Sequence, residues 1–161
     1  MLMNYLKPVL LFIPLAIIQL VVIPLISIYN VTPNLILILI VYYTLKDGQI
    51  FGTILGFILG LLLDLFSGGL IGAFMFSFTI SAFLAGYFYS ENKMDINLTS
   101  YFFLLILFIS ACVNSFLYAR ISNSASNVSL LLLLIEEGLL PGLYTTLFGI
   151  PIVVFNSKKG T

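Results

Sequence analysis

The sequence predicts an all-α membrane protein, a compact bundle of about six transmembrane helices, and two observations carry that reading. Of 161 residues, 61% are hydrophobic and only 7% charged, and the mean hydropathy is +1.22. A soluble domain is typically about 25% charged, because its surface must be hydrated. Six basic and six acidic side chains cannot cover a water-facing surface, so lipid is the main solvent. The second observation is spacing. Apolar runs of spanning length, about 20 residues each, alternate with short polar breaks.

The runs are 8–29, 33–46, 49–66, 69–90, 98–119 and a last region at 128–156. The breaks are Asn30 to Thr32, Lys46-Asp47-Gly48, Ser67-Gly68-Gly69, Glu91 to Asn97 and Arg120 to Asn127. No linker or second domain interrupts the series, and helices joined by such short connections pack as antiparallel neighbours. The first run begins like a signal peptide, but it is long, contains Pro14 and Pro24 and lacks an Ala-x-Ala site; it reads as a retained helix. The run 33–46 is too short to cross alone, which is tolerable where its ends are buried in protein or in thinned bilayer. Glu136-Glu137-Gly138 and Pro141 interrupt the last region. That predicts a break near 136–141, with a short outer helix before it and a span starting near Pro141, where proline suits a first turn.

Several function classes fall away on composition. The chain has no histidine and one cysteine, Cys112, inside an apolar run. Ser-His-Asp and Cys-His catalysis, an intramolecular disulfide and a thiolate or imidazole metal site are therefore excluded. No nucleophile, metal motif or phosphate loop accompanies the carboxylates, so the expectation is a protein without catalytic residues, metal or cofactor. No basic cluster exceeds two residues and net charge is zero, which argues against nucleic acid.

Within the greasy background, some residues stand out. Gly52, Gly56 and Gly60 recur every fourth position of the third run, drifting only about 40° per step around a helix and so lining one inclined groove. A neighbouring backbone can approach closely there. The fourth run offers a matching small face in Ala73, Ser77, Ser81 and Ala85. The groove serves either packing within the chain or a partner's transmembrane helix. Asp64 ends the glycine stripe. A carboxylate in a spanning segment costs up to ~2.5–3.5 kcal/mol, and at the last turn of a helix the macrodipole disfavours it. Two arrangements would offset this. Asp64 either reaches the free N–H groups that begin the next helix, or joins Arg120, Glu136 and Glu137 in an outward-facing polar site. Glu136 and Glu137 can equally be solvated residues of the outer face. Asn114 and Ser115 suit hydrogen bonds between helices, and Tyr42, Tyr43, Tyr87, Tyr89 and Tyr101 suit the membrane boundary.

Pro33-Asn34-Leu35, followed by Gly52, Gly56-Phe57, Gly60, Asp64, Ser67-Gly68 and Gly72, resembles the MreD family of bacterial rod shape-determining membrane proteins. Members typically open their second helix with Pro-Asp-Leu and continue with a G-F-x-x-G-L-x-x-D-x-x-S-G segment. The tail Leu140-Pro141-Gly142-Leu143-Tyr144, before a last helix and a basic end, is also similar. Asn34 departs from the family's usual aspartate. Asparagine brings no charge to that position, whereas helix capping survives, since asparagine caps as well as aspartate. The resemblance implies a non-catalytic subunit of the cell-wall elongation machinery in the bacterial cytoplasmic (inner) membrane. Its implied partners are an MreC-like bitopic protein and, through it, the MreB filament, a RodA-type glycosyltransferase and a class B penicillin-binding protein. The family is also similar in fold to the substrate-binding subunits of energy-coupling-factor vitamin transporters. That supplies the alternative, a membrane-embedded vitamin-binding subunit, although outer connections this short offer few groups to seize a polar vitamin.

With six crossings, Lys7, Lys46, Lys93, Lys158 and Lys159 fall on one side and Arg120 alone on the other. The positive-inside rule then puts both termini in the cytoplasm and the Arg120–Asn127 loop outside. In a variant lacking Cys112, a cysteine at Ser124 should react with an impermeant thiol reagent added to intact cells, and cysteines at either terminus should not. Protection at Ser124, or outside labelling of a terminus, would rule out this topology.

Overall fold

A computed structural model describes residues 2–27, 31–90, 101–122 and 134–157. Among the described residues the protein is an all-α membrane bundle of six helices. The first, α1, spans Leu2–Ile17 and continues through a π-helical turn, Ile18–Val22, into a 3-10 turn, Ile23–Ile26. The second and third, α2 (Leu35–Asp47) and α3 (Gln49–Ser67), meet at Gly48; α4 is Ala73–Gly86 and α5 is Tyr101–Ser122. The last, α6, begins as a π-helical segment, Leu134–Leu139, and runs on as Leu140–Ser157. Lys93, Lys158, Lys159, Ser124 and residues 98–100 and 128–133 lie outside the described residues.

Two boundaries differ from expectation. The fourth helix is shorter than the run 69–90, because Gly69 to Gly72 form the turn that leads into it. Gly68 and Gly72 take φ of +65° and +102°, a left-handed region that side chains disfavour. The expected break at 136–141 is instead a change of winding. The Glu136-Glu137-Gly138 stretch is π-helical and passes directly into the helix containing Pro141, so Ile135–Phe155 is one apolar stretch of spanning length.

Among the described residues, four stretches are long and apolar enough to cross a membrane: Lys7–Ile26, Gln49–Ser67, Tyr101–Ser122 and Ile135–Phe155. The other two helices, α2 and α4, have 13 and 14 residues. At 1.5 Å per residue each is about 20 Å long, against a hydrocarbon core of about 30 Å. The rest of the bundle wraps α2, whereas α4 keeps Phe76 and Phe83 exposed. On α2 the whole run from Ile36 to Val41 is buried, with Tyr43, Thr44 and Leu45. Such all-round burial explains its unbroken apolarity, which an amphipathic surface helix would not show.

The bundle is apolar on its outside and carries its polar groups within. Exposed residues include Leu10, Ile13 and Ile17 of α1, Ile54, Phe57 and Phe66 of α3, and Leu143, Leu147 and Phe155 of α6. Thr44, Asp64, Ser77, Ser81, Ser110, Asn114 and Thr145 are buried. Lipid cannot hydrogen-bond, so these polar groups belong in the interior. Several hydroxyls donate to the carbonyl one turn back: Thr44 to Ile40 at 2.7 Å, Ser77 to Ala73 at 2.8 Å and Thr146 to Gly142 at 2.7 Å.

The most extensive helix pair is α3 with α4, followed by α5 with α6 and α4 with α5, while α1 packs mainly on α2. The glycine stripe explains the first pair. A Cβ at Gly56 would lie 2.9 Å from the Phe78 carbonyl oxygen and 3.3 Å from the Ala82 Cβ; one at Gly60 would lie 2.6 Å from the Met75 Cα. A Cβ at Gly52 would collide with the Thr44 side chain of α2. The groove is therefore filled from within the chain, and the reading that it receives a partner's helix does not hold for this face. The matching face also differs from the expected one. Ala73, Ser77, Ser81 and Ala85 are all buried, but the atoms nearest Gly56 and Gly60 belong to Phe74, Met75, Phe78 and Ala82. A second close approach joins α5 to α6, where a Cβ at Gly142 would lie 3.2 Å from the Cys112 backbone nitrogen.

Because backbone and not a movable side chain opposes Gly56 and Gly60, leucine at either position should destabilise the isolated protein by about 1–3 kcal/mol, the usual cost of overpacking. Thermal unfolding of the purified variants in detergent measures this. Wild-type stability in both would mean that α4 does not press on the stripe.

Candidate functional site: a polar cavity beside two capped helix starts

The helices alternate in direction, so the N-termini of α2, α4 and α6 share one end of the bundle with the C-terminal ends of α1, α3 and α5. The first N–H groups of the short helices α2 and α4 need partners that lipid does not supply.

At α4 the partner is Asp64. One carboxylate oxygen accepts from Gly72 N at 2.9 Å and Met75 N at 3.0 Å, and the other from Phe74 N at 3.0 Å. The side chain is 1% exposed. Its place at the end of α3 is unfavourable for an anion, and the positive end of the α4 dipole, together with three N–H donors, offsets that.

At α2 the work is divided. The Asn34 Oδ1 accepts from Leu37 N at 3.0 Å, the ordinary geometry of an N-cap. Gln19, in the π-helical turn of α1, accepts from Leu35 N at 2.9 Å and donates to the Pro33 carbonyl at 3.0 Å. Thr145 of α6 accepts from Asn34 N at 3.0 Å. One helix start is thus tied to two other helices. Sequence reasoning missed Gln19 and Thr145. The available clue was that Gln19 is a lone amide in a spanning segment, and such a group needs a protein partner.

Above these caps lies a cavity of about 570 Å³, open on one side and lined by Gln19, Asn34, Phe74, Asn114, Tyr118, Glu136, Glu137 and Pro141, among others. Its wall includes residues of both π-helical segments, a winding often found at functional sites. The structure thus divides the four residues expected to form the outer polar site. Glu136 and Glu137 line the cavity. Asp64 does not, because both its oxygens are turned to the start of α4. Arg120 does not either: it is exposed, one residue past Ala119, which does line the cavity. Asn114 and Ser115, expected to bond between helices, line it as well.

The chain matches the family described as MreD, rod shape-determining protein MreD, over residues 1–157. It belongs to the MreD family. No curated protein and no solved structure gives a significant match, so the likeness to vitamin-transporter subunits rests on the sequence resemblance alone. As an MreD-family chain with four stretches able to cross a membrane, it is a multi-pass protein of the inner membrane, and the family belongs to the rod-shape system that includes MreC and MreB.

Replacing Asp64 by asparagine removes one acceptor oxygen and turns an NH₂ group toward an N–H donor. With at least one buried N–H left unpaired, Asp64→Asn should lose about 1–3 kcal/mol of stability. A chemical-denaturation midpoint of the purified protein tests this, and an unchanged midpoint would show that the α4 start does not depend on the carboxylate.

Proposed function

We propose that this MreD-family chain is a non-catalytic subunit of the bacterial cell-wall elongation complex that maintains rod shape by holding partner proteins in place. The family match, which runs through nearly the whole chain, carries the reading. The interior polar contacts support it, since buried Asp64 and Thr145 and half-buried Asn34 and Gln19 are occupied in tying helices together and are not poised for turnover. The partner is an MreC-like bitopic protein. Through it the chain joins the MreB filament, a RodA-type glycosyltransferase and a class B penicillin-binding protein. Both termini are cytoplasmic in this arrangement, so the cavity lined by Glu136 and Glu137 opens outward. The match to a shape-determining family favours this reading over a vitamin-binding transporter subunit.

Depletion of the protein in its native organism should round the cells and release the MreC-like protein from the complex, seen by microscopy and by co-purification from solubilised membranes. Rods of normal shape with intact complexes, together with lost uptake of a vitamin, would overturn the proposal in favour of the transporter reading.

A further inference from the structure

Part of the polar wall of the outer cavity is already in use. Gln19 spends both ends of its amide on Pro33 and Leu35, and the Asn34 Oδ1 is taken by Leu37 N. The N–H groups of Gly72, Phe74 and Met75 point to Asp64. An anion entering the cavity would therefore find the starts of α2 and α4 already paired, although helix N-termini are otherwise good anion sites.

The cavity instead offers acceptors. Asn114, only 2% exposed, lines it, and its Oδ1 has no hydrogen-bond partner among the described residues. The Glu137 Oε2 is also buried and unpartnered among those residues. Glu136 adds a second carboxylate to the lining. Two orphaned acceptors on residues that line one cavity are unusual, since a buried polar atom without a partner costs about 1–3 kcal/mol. Phe74 and Tyr118, whose rings stack at 4.2 Å, complete the wall with aromatic surface, which attracts cations.

Among the described residues the chain has little to neutralise these groups. Lys46 ends α2, opposite the Asn34 end, and Lys7 lies far from the cavity end of α1. Arg120 is exposed and outside the lining.

We propose that the outer cavity is a receptor for a cationic N–H donor, a guanidinium or primary ammonium group, which donates to the Asn114 Oδ1 and the Glu137 carboxylate and lies against the Phe74–Tyr118 wall. The outward orientation rests on the function proposed above; the binding chemistry does not. The group arrives either on a free small molecule or on an arginine or lysine side chain of a partner.

The test uses the full chain in nanodiscs of zwitterionic lipid and calorimetric titration. The probes are N-acetyl-arginine amide and its neutral isostere N-acetyl-citrulline amide, then the same two residues within a peptide otherwise of glycine and leucine. The arginine form should bind about tenfold or more tightly than the citrulline form, as expected for a charge-assisted hydrogen bond in a sheltered site. Glu137→Gln, which keeps the side chain's shape, should abolish that preference, and Asn114→Leu should weaken both arginine probes. Binding of the free amide assigns the site to a small cation; binding only within the peptide assigns it to a partner's side chain. Equal binding of arginine and citrulline in both forms, no binding of any probe, or an arginine preference retained in Glu137→Gln would overturn the proposal. Cell shape on depletion tests the proposed function without reference to these titrations, so either can fail alone.

Discussion

The start of a helix within an apolar bundle exposes N–H groups that lipid cannot satisfy, and the architecture is arranged around that constraint. Asp64 is the clearest response. Three N–H groups converge on its carboxylate, which also pins the end of α3 to the beginning of α4. With those two helices fixed at one end, the glycine stripe holds them together along their length. The carboxylate is favourable only because α4 begins there, and α4 can begin there only because the carboxylate accepts its first N–H groups. Each element supplies what the other lacks.

The same problem at α2 has a different solution, and the difference positions the cavity. Asn34 caps its own helix, while Gln19 and Thr145 reach in from α1 and α6. Three helices are thereby held around one helix start. The floor of the cavity consists of polar groups already committed to one another, and its walls carry Asn114, Glu136 and Glu137. The departure from the family's usual aspartate fits this local chemistry. Asparagine supplies the single acceptor that Leu37 N requires, without adding a charge beside the two carboxylates.

A bundle whose outside is apolar gains nothing from hiding leucine from lipid. Its internal cohesion comes from close backbone approach and from paired polar groups. Gly56 and Gly60 against α4, and Gly142 against Cys112 of α5, supply the first. The caps supply the second. Cys112, conspicuous as the single cysteine in the sequence, is in this light a packing residue opposite a glycine.

The membrane environment, the bundle of six helices, the capping residue Asn34 and the close-packing face of α3 were legible in the sequence, because each follows from local pattern: hydropathy, a cap before an apolar run, glycines at helical spacing. The family resemblance was legible in the same stretch. Which neighbour fills the groove was not, since Phe74, Met75, Phe78 and Ala82 look no more suited to it than Ser77 and Ser81 until the rotation of α4 about its axis is known. Nor was the choice between the two roles of Asp64, which turned on where α4 begins. Gln19, Asn34 and Thr145 come together across more than a hundred residues of sequence, and nothing local to any of them announces the meeting. Lipid tails and apolar side chains are nearly equivalent solvents for a helix, so hydropathy specifies that a segment is buried in something apolar. Only the tertiary packing decides which polar groups within it find one another, and which, like Asn114 and Glu137, are left facing a cavity.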